Sequence, residues 1–274
     1  MSCTMPVLMY HHISPKPGLV TCSPENFRAQ MAWLAKNGWK TLSTAAFAEA
    51  LASGEIPPKN VLITFDDGYL DNWVYAHPIL QEFGLRATLF LITGWIGNGA
   101  LRAHAGQGNL PDLPSHRQAM QAAAEGEKDT AFLRWSEVEA MRAAATFDFH
   151  SHTDSHRRWD REIADQKARD AALADDLAAS RATLLARLGE ASPHLCWPQG
   201  YFDAAYQRVA REAGFTHLYT TEHGVVRRHI DLARIPRIVC KDKPAAWFGR
   251  RMGMYGRPFL SLLYLSIKSA GKGR

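Results

Sequence analysis

Two short stretches of the 274-residue sequence hold side chains whose types and spacing could support metal-assisted hydrolysis. The first is Thr64-Phe65-Asp66-Asp67-Gly68. Adjacent carboxylates before a glycine can divide two roles, one as metal ligand and one as proton acceptor. A plain Asp-Asp-Gly turn is the alternative reading of the isolated tripeptide. The second stretch is His152-Thr153-Asp154-Ser155-His156. Histidines four apart fall on one face of a helical turn, which allows shared ligation; a solvated surface pair is the alternative. Two imidazoles and one carboxylate suit Zn²⁺ and leave a coordination position for water. A metal so held brings water towards a pKa of about 7 and provides a nucleophile at neutral pH. The carboxylate that does not ligate is then free to act as general base.

These residues need a frame. Short apolar runs at residues 7–10, 39–42, 61–65, 87–92, 146–150, 194–197 and 215–219 are strand candidates. Helices are expected between them. One starts at Pro24 behind a Ser23 cap and stops near Gly38. Others are expected over 44–52, from Gly68 to about Phe83, over 136–145, over 160–188 and over 203–213. The alternation argues for a parallel α/β sheet, and the absence of a GxGxxG or Walker motif favours a (β/α) barrel. In such a barrel functional side chains sit at the C-terminal strand ends. His11 and His12 follow the first run, and Asp66 and Asp67 the third. His150, Ser151, His152 and His156 follow the 146–150 run, and Trp197-Pro198-Gln199-Gly200 the 194–197 run. Residues 95–130 are too long for an ordinary connection and read as an insertion or lid. The helix over 160–188 alternates acids and bases and reads as a solvated outer helix.

The two motifs together resemble the polysaccharide deacetylase family, carbohydrate esterase family 4. TFDDG matches its first motif and HTDSH its H-[S/T]-x-x-H motif, and the resemblance covers residues 5–240. It implies a distorted (β/α)7 barrel and metal-dependent removal of N-acetyl groups from sugars. It makes Asp66 the general base, with Asp67, His152 and His156 as ligands of a divalent metal, zinc by preference. The family's downstream Leu-x-His motif is absent, since His217 and His223 lie at or beyond the last strand candidate. Leu8-Met9-Tyr10-His11 instead resembles the circularly permuted branch that acts on poly-N-acetylglucosamine, which makes His11 the general acid and leaves His12 structural. The family's Arg-x-Pro-aromatic motif is replaced by Cys196-Trp197-Pro198-Gln199. The backbone N–H of Gln199 is expected to face the oxyanion, and Trp197 and Pro198 to line the sugar pocket. Arg237 either reaches the site in place of the missing arginine or is a surface residue. His150 and Tyr69 are expected to support the pocket, with Asp71 close by.

Composition bounds the rest. The chain is 46% hydrophobic and 22% charged, which excludes disordered, collagen-like and multi-span membrane classes. Its +5 charge invites a nucleic-acid reading, but Pro244 to Arg274 contributes six basic residues and no acid. Residues 1–243 carry 26 basic and 27 acidic side chains, so the body is nearly neutral and no nucleic-acid partner is expected. Two units follow: a catalytic barrel over 1–243 and a basic, apolar tail over 244–274. Residues 258–267 of the tail are apolar, flanked by basic residues and too short to span a bilayer. They read either as an interfacial anchor on anionic lipid or as a helix docked on the barrel. The N-terminus shows no signal-peptide pattern and the four cysteines form no CxxC pair, so a cytoplasmic chain, peripheral to the inner membrane face, is expected. The expected partner is an N-acetylhexosamine on a glycan or a polyprenyl-phosphate carrier, used in lipopolysaccharide or exopolysaccharide biosynthesis. Deformylation or O-acetyl ester hydrolysis on the same sugars remains open. A metal phosphodiesterase or a non-catalytic glycan-binding barrel fits less well.

Overall fold

A computed structural model describes residues 4–261. Seven parallel strands close on themselves: β1 (Val7–Tyr10), β2 (Asn60–Phe65), β3 (Ala87–Leu91), β4 (Phe147–Ser151), β5 (His194–Cys196), β6 (His217–His223) and β7 (Ile235–Val239). β1 pairs with both β2 and β7 and so closes the barrel. The barrel is distorted. β4 and β5 share a single registered pair, Ser151 with Leu195, and the register shifts between β6 and β7.

Alternation along the strands builds two layers of core. Val7, Leu62, Phe90, Cys196, Tyr219 and Ile235 form one cluster inside the barrel. Their sequence neighbours Leu8, Ile63 and Leu89 join a second cluster under the surrounding helices, as does Ile238 of β7. The helix Pro24–Lys36 starts where Ser23 accepts from the Asn26 N–H, and it buries Phe27, Met31 and Leu34. Burying each such side chain contributes about 1.5–3 kcal/mol.

Three sequence expectations are corrected. Residues 39–42 do not supply a barrel strand: only Lys40–Thr41 is extended, and it pairs with β2 outside the closed ring. The seventh strand is β7, which contains Pro236. Proline removes a ladder donor, so the pattern disguised it. The helix over 160–188 is two helices, Trp159–Glu162 and Gln166–Leu188, because Asp165 caps the second by accepting from the Ala168 N–H. The second is not wholly solvated, since Asp176 and Ser180 are buried.

The stretch after Gly68 forms one π-helical turn, Asn72–Ala76, before the helix His77–Glu82. Residues 95–130 carry the helix His116–Glu125. In the tail, residues 245–255 form a helix whose Phe248 meets Trp33 of Pro24–Lys36 with ring centroids 6.0 Å apart. Most of the 258–267 segment lies outside the described residues. Among the described residues no helix is long and apolar enough to cross a membrane.

Candidate active site

The C-terminal strand ends converge on a cavity of about 280 Å³ lined by His11, Asp66, Asp67, His152, His156 and Gln199, among others. Asp66 directly follows β2, and its N–H donates to the Tyr10 carbonyl, which ties the end of β2 to β1. Asp67 then turns with φ of 75°. A left-handed non-glycine residue costs about 1–2 kcal/mol, strain that is held where it aims a side chain. Here it sends Asp67 away from Asp66 and towards the histidines.

The His152–His156 segment is a loop and not the helical turn its spacing suggested. Thr153 and His156 both have positive φ, 65° and 60°. Asp176 holds the loop: its Oδ1 accepts from the Asp154 and Ser155 N–H groups, each at 2.8 Å. Its Oδ2 accepts from the Ser155 hydroxyl and the Trp159 indole. Thr93, just past β3, donates its hydroxyl to Asp154. So held, His152 Nε2 and His156 Nε2 face Asp67 Oδ1 at 3.3 and 3.5 Å.

These three ligand atoms lie within 4.8 Å of one another, as a shared cation requires. His152 Nδ1 sits 2.8 Å from the Cys196 carbonyl, so Nδ1 carries a proton and Nε2 is the atom turned to Asp67 and to a cation. Burial pushes the His156 imidazole down to about 4, so it is neutral at neutral pH. Burial acts to lower His152 as well, but Cys196 and Asp67 outweigh it and hold that imidazole well above its ordinary value, so a cation binding there displaces a proton from Nε2. Burial acts to raise the Asp67 carboxyl, but its hydrogen bond to His152 and the charge that His156 takes on in acid outweigh it and hold it far below its ordinary range. The donor set therefore fits a divalent metal. Asp66, His152 and Cys196 form a second cluster of the same compactness. The Arg237 guanidinium fills that one, with Nη2 3.0 Å from Cys196 Sγ, and a fixed cation there excludes a metal ion.

Arg237 is not on the surface. It is 1% exposed, and it grips both oxygens of Asp66. Its Nε donates to the Thr220 carbonyl and its Nη1 also reaches the Thr64 hydroxyl. Burial by itself would raise the Asp66 carboxyl; Arg237 outweighs it and holds the group below its ordinary range. Arg237 thus reaches the site, as the first of its two readings had it, but from beneath Asp66, which it positions, and not as a substrate-contacting part of the cavity wall. His11 Nε2 lies 3.8 Å from Asp66 Oδ2, and burial lowers its pKa against the pull of Asp66.

On the far wall, Gln199 has φ of 53° and Gly200 φ of 70°. The N–H groups of Gly200 and Tyr201 donate to Trp197 and Pro198, while that of Gln199 meets no acceptor among the described residues. A Cβ on Gly200 would stand 2.1 Å from Thr221 Oγ1, so only glycine fits. Tyr69 and Trp197 line the cavity. Trp197 also packs on Tyr206, with ring centroids 5.7 Å apart.

Two further expectations are corrected. Pro198 is buried in a 3₁₀ turn behind Gln199 and is not part of the wall. His150 shares the inward face with His152, but two residues earlier it lies one layer lower. It meets His194 and Phe90 and lines a different cavity of about 350 Å³. His217 stacks on His194. His12 turns from the cavity to Asp71. The sequence reading missed His116, Met120 and Thr221 on the wall, and Asp176 behind it. For Asp176 a signal existed: an acid on the inward stripe of an amphipathic helix, with Leu173 and Leu177 beside it.

Similarity to known proteins runs through the stretch that carries both motifs. Residues 53–218 match the family described as polysaccharide deacetylase. The Bacillus subtilis protein YxkH is 39% identical over 113 residues, 41% of this chain and 39% of that protein. The poly-beta-1,6-N-acetyl-D-glucosamine N-deacetylase of Staphylococcus aureus is 25% identical over 224 residues, 80% of this chain and 68% of that protein. The chain thus spans well under half of the first relative and about two thirds of the second. The structure of Streptococcus pyogenes deacetylase PplD in complex with acetate superposes with a TM-score of 0.72 at 22% identity, covering 94% of this chain and all of that one.

Proposed function

Because the chain belongs to the polysaccharide deacetylase family, we propose that it hydrolyses the N-acetyl group of an N-acetylhexosamine carried on a cell-envelope glycan or a lipid-linked precursor. One observation carries this reading. The two adjacent aspartates are divided between two partners, Asp67 facing the histidine pair and Asp66 gripped by Arg237, around a single cavity that His11 also lines.

A divalent cation, proposed to be zinc, would be held by Asp67, His152 and His156 and would supply Lewis-acid polarisation. Asp66, kept ionised by Arg237, accepts the proton of the attacking water. The Gln199 N–H donates to the oxygen on which negative charge develops. His11 delivers a proton to the departing nitrogen. The products are acetate and a free amino sugar.

Mass spectrometry of N-acetylglucosamine oligomers and polyprenyl-linked N-acetylhexosamines, incubated with metal-loaded enzyme, tests the reading. Loss of one acetyl mass is expected; a formyl group would give a smaller loss, and because these substrates carry acetyl only on nitrogen the loss reports the amide and not an ester. No change on any of these substrates overturns the proposal. A cytoplasmic setting with peripheral contact to anionic lipid belongs to the same proposal. Its support is the apolar 258–267 segment between Arg257 and Lys268. Removal of residues 257–274 is then expected to move the protein from the membrane fraction to the soluble one. An unchanged distribution rejects the membrane contact.

A further inference from the structure

One wall of the cavity comes from the long connection that follows β3. In residues 95–130, the helix His116–Glu125 is pinned at its start by reciprocal bonds between Ser115 and Gln118. Ala119 of this helix packs with Tyr69 and Phe132. The helix thereby sets His116 and Met120 on the cavity wall.

His116 is tied back into the protein through one nitrogen. Its Nδ1 lies 3.2 Å from the Tyr69 hydroxyl and 3.3 Å from His12 Nε2. His12 is buried, stacks on Tyr69 with centroids 3.6 Å apart, and places Nδ1 2.5 Å from Asp71 Oδ2. Asp71 Oδ1 accepts from the Ile13 N–H and the Asn72 amide. The reaction described above uses none of these groups. A buried carboxylate and imidazole are costly unless fully bonded, and each here is bonded. The chain of contacts runs out to His116, whose Nε2 meets no partner among the described residues.

We propose that His116 is a specificity-determining residue whose Nε2 hydrogen-bonds a hydroxyl of the substrate's sugar ring, with Asp71 and His12 positioning the imidazole through Nδ1. The inference rests on the deacetylase reading. An imidazole nitrogen can donate or accept, and so can a hydroxyl, so the bond forms with either tautomer. A few fixed polar groups on a largely apolar wall are what orient a ligand in a pocket. The ligand class is a hydroxyl-bearing ring next to the scissile acetamide.

Steady-state kinetics on an N-acetylglucosamine oligomer and on p-nitrophenyl acetate, an acetyl donor without a sugar, test it. His116→Ala should raise the oligomer KM about threefold to tenfold, the range of one neutral hydrogen bond. The ratio of kcat/KM for oligomer over ester should fall by the same factor. His116→Gln, whose amide reaches the Nε2 position, should restore most of the loss. His116→Asn, whose amide reaches only Nδ1, should not. A role in packing alone would lower both activities together, with no rescue by Gln. An unchanged ratio in His116→Ala, with wild type active on the oligomer, overturns the inference. A wild type that cleaves the ester but no N-acetylated sugar overturns the deacetylase reading instead.

Discussion

Arg237 meets Asp66 across β1, Nη1 to Oδ1 at 2.6 Å and Nη2 to Oδ2 at 2.7 Å, although 171 residues separate them in sequence. Both side chains are buried. The fork matches the carboxylate edge, so it fixes the Asp66 plane as well as its charge. Lysine keeps the charge and loses the fork. In Arg237→Lys the burial that raises the Asp66 carboxyl is opposed less well, so its pKa rises. The base then stays protonated to higher pH, and the acid limb of kcat/KM moves upward. A pH–rate profile checks this, and superimposable acid limbs would refute the positioning role. The pair also bears on stability. Asp66 has a depressed folded pKa, so its contribution is present above the unfolded carboxylate pKa and is lost as pH falls through the folded one. Arg237→Ala strands a buried carboxylate and should cost about 3–5 kcal/mol in denaturant unfolding near neutral pH.

Asp66 and Asp67 are neighbours with separable roles. Asp66→Asn removes the proton acceptor and leaves the Asp67–His152–His156 donor set intact. Acetate release should fall about 10²–10⁴-fold while metal content by elemental analysis is retained. Asp67→Asn should lose both. Most activity surviving in metal-loaded Asp66→Asn would reject the base assignment.

The two motifs were legible because each is local. Asp66 and Asp67 sit where a strand ends, and His152 and His156 within five residues of one another. What joins them was not. Arg237 lies on a strand that Pro236 disguised, and its partner is set by barrel closure, which no window of sequence contains. The expected helical turn at His152 failed for a related reason. The loop's shape is imposed by Asp176 on a helix more than twenty residues away, which overrides the local preference. His150 shows the limit of alternation: the pattern gave the correct face and not the depth within the barrel.

Asp176 never touches the cavity, yet both of its oxygens are spent on the loop that presents the two histidines. Asp176→Ala frees two backbone N–H groups, a hydroxyl and the Trp159 indole N–H together. Supports of this kind typically change metal affinity about 10–100-fold. Competition with a chelator should show a loss in that range, with acetate release recovering at high metal concentration. An unchanged affinity would mean that Thr93 and the strand end hold the loop unaided.

The His156 imidazole is neutral because it is buried, titrating at about 4, and the Trp95 ring covers one side with centroids 5.6 Å apart. Protons and metal compete for its Nε2, so a low pKa lets metal stay bound further into acid. Stepwise dialysis of loaded enzyme should show metal released in acid as the two histidine ligands take up protons, His156 being the harder of the two to protonate. Trp95→Ala admits water to the ring. It weakens the cause of the depression, and the His156 pKa climbs back towards its ordinary value. The midpoint of metal release should then move to higher pH, with acetate release at pH 5 falling alongside. A midpoint that stays in place when Trp95 is removed would show that the remaining walls, and not the indole, keep His156 dry.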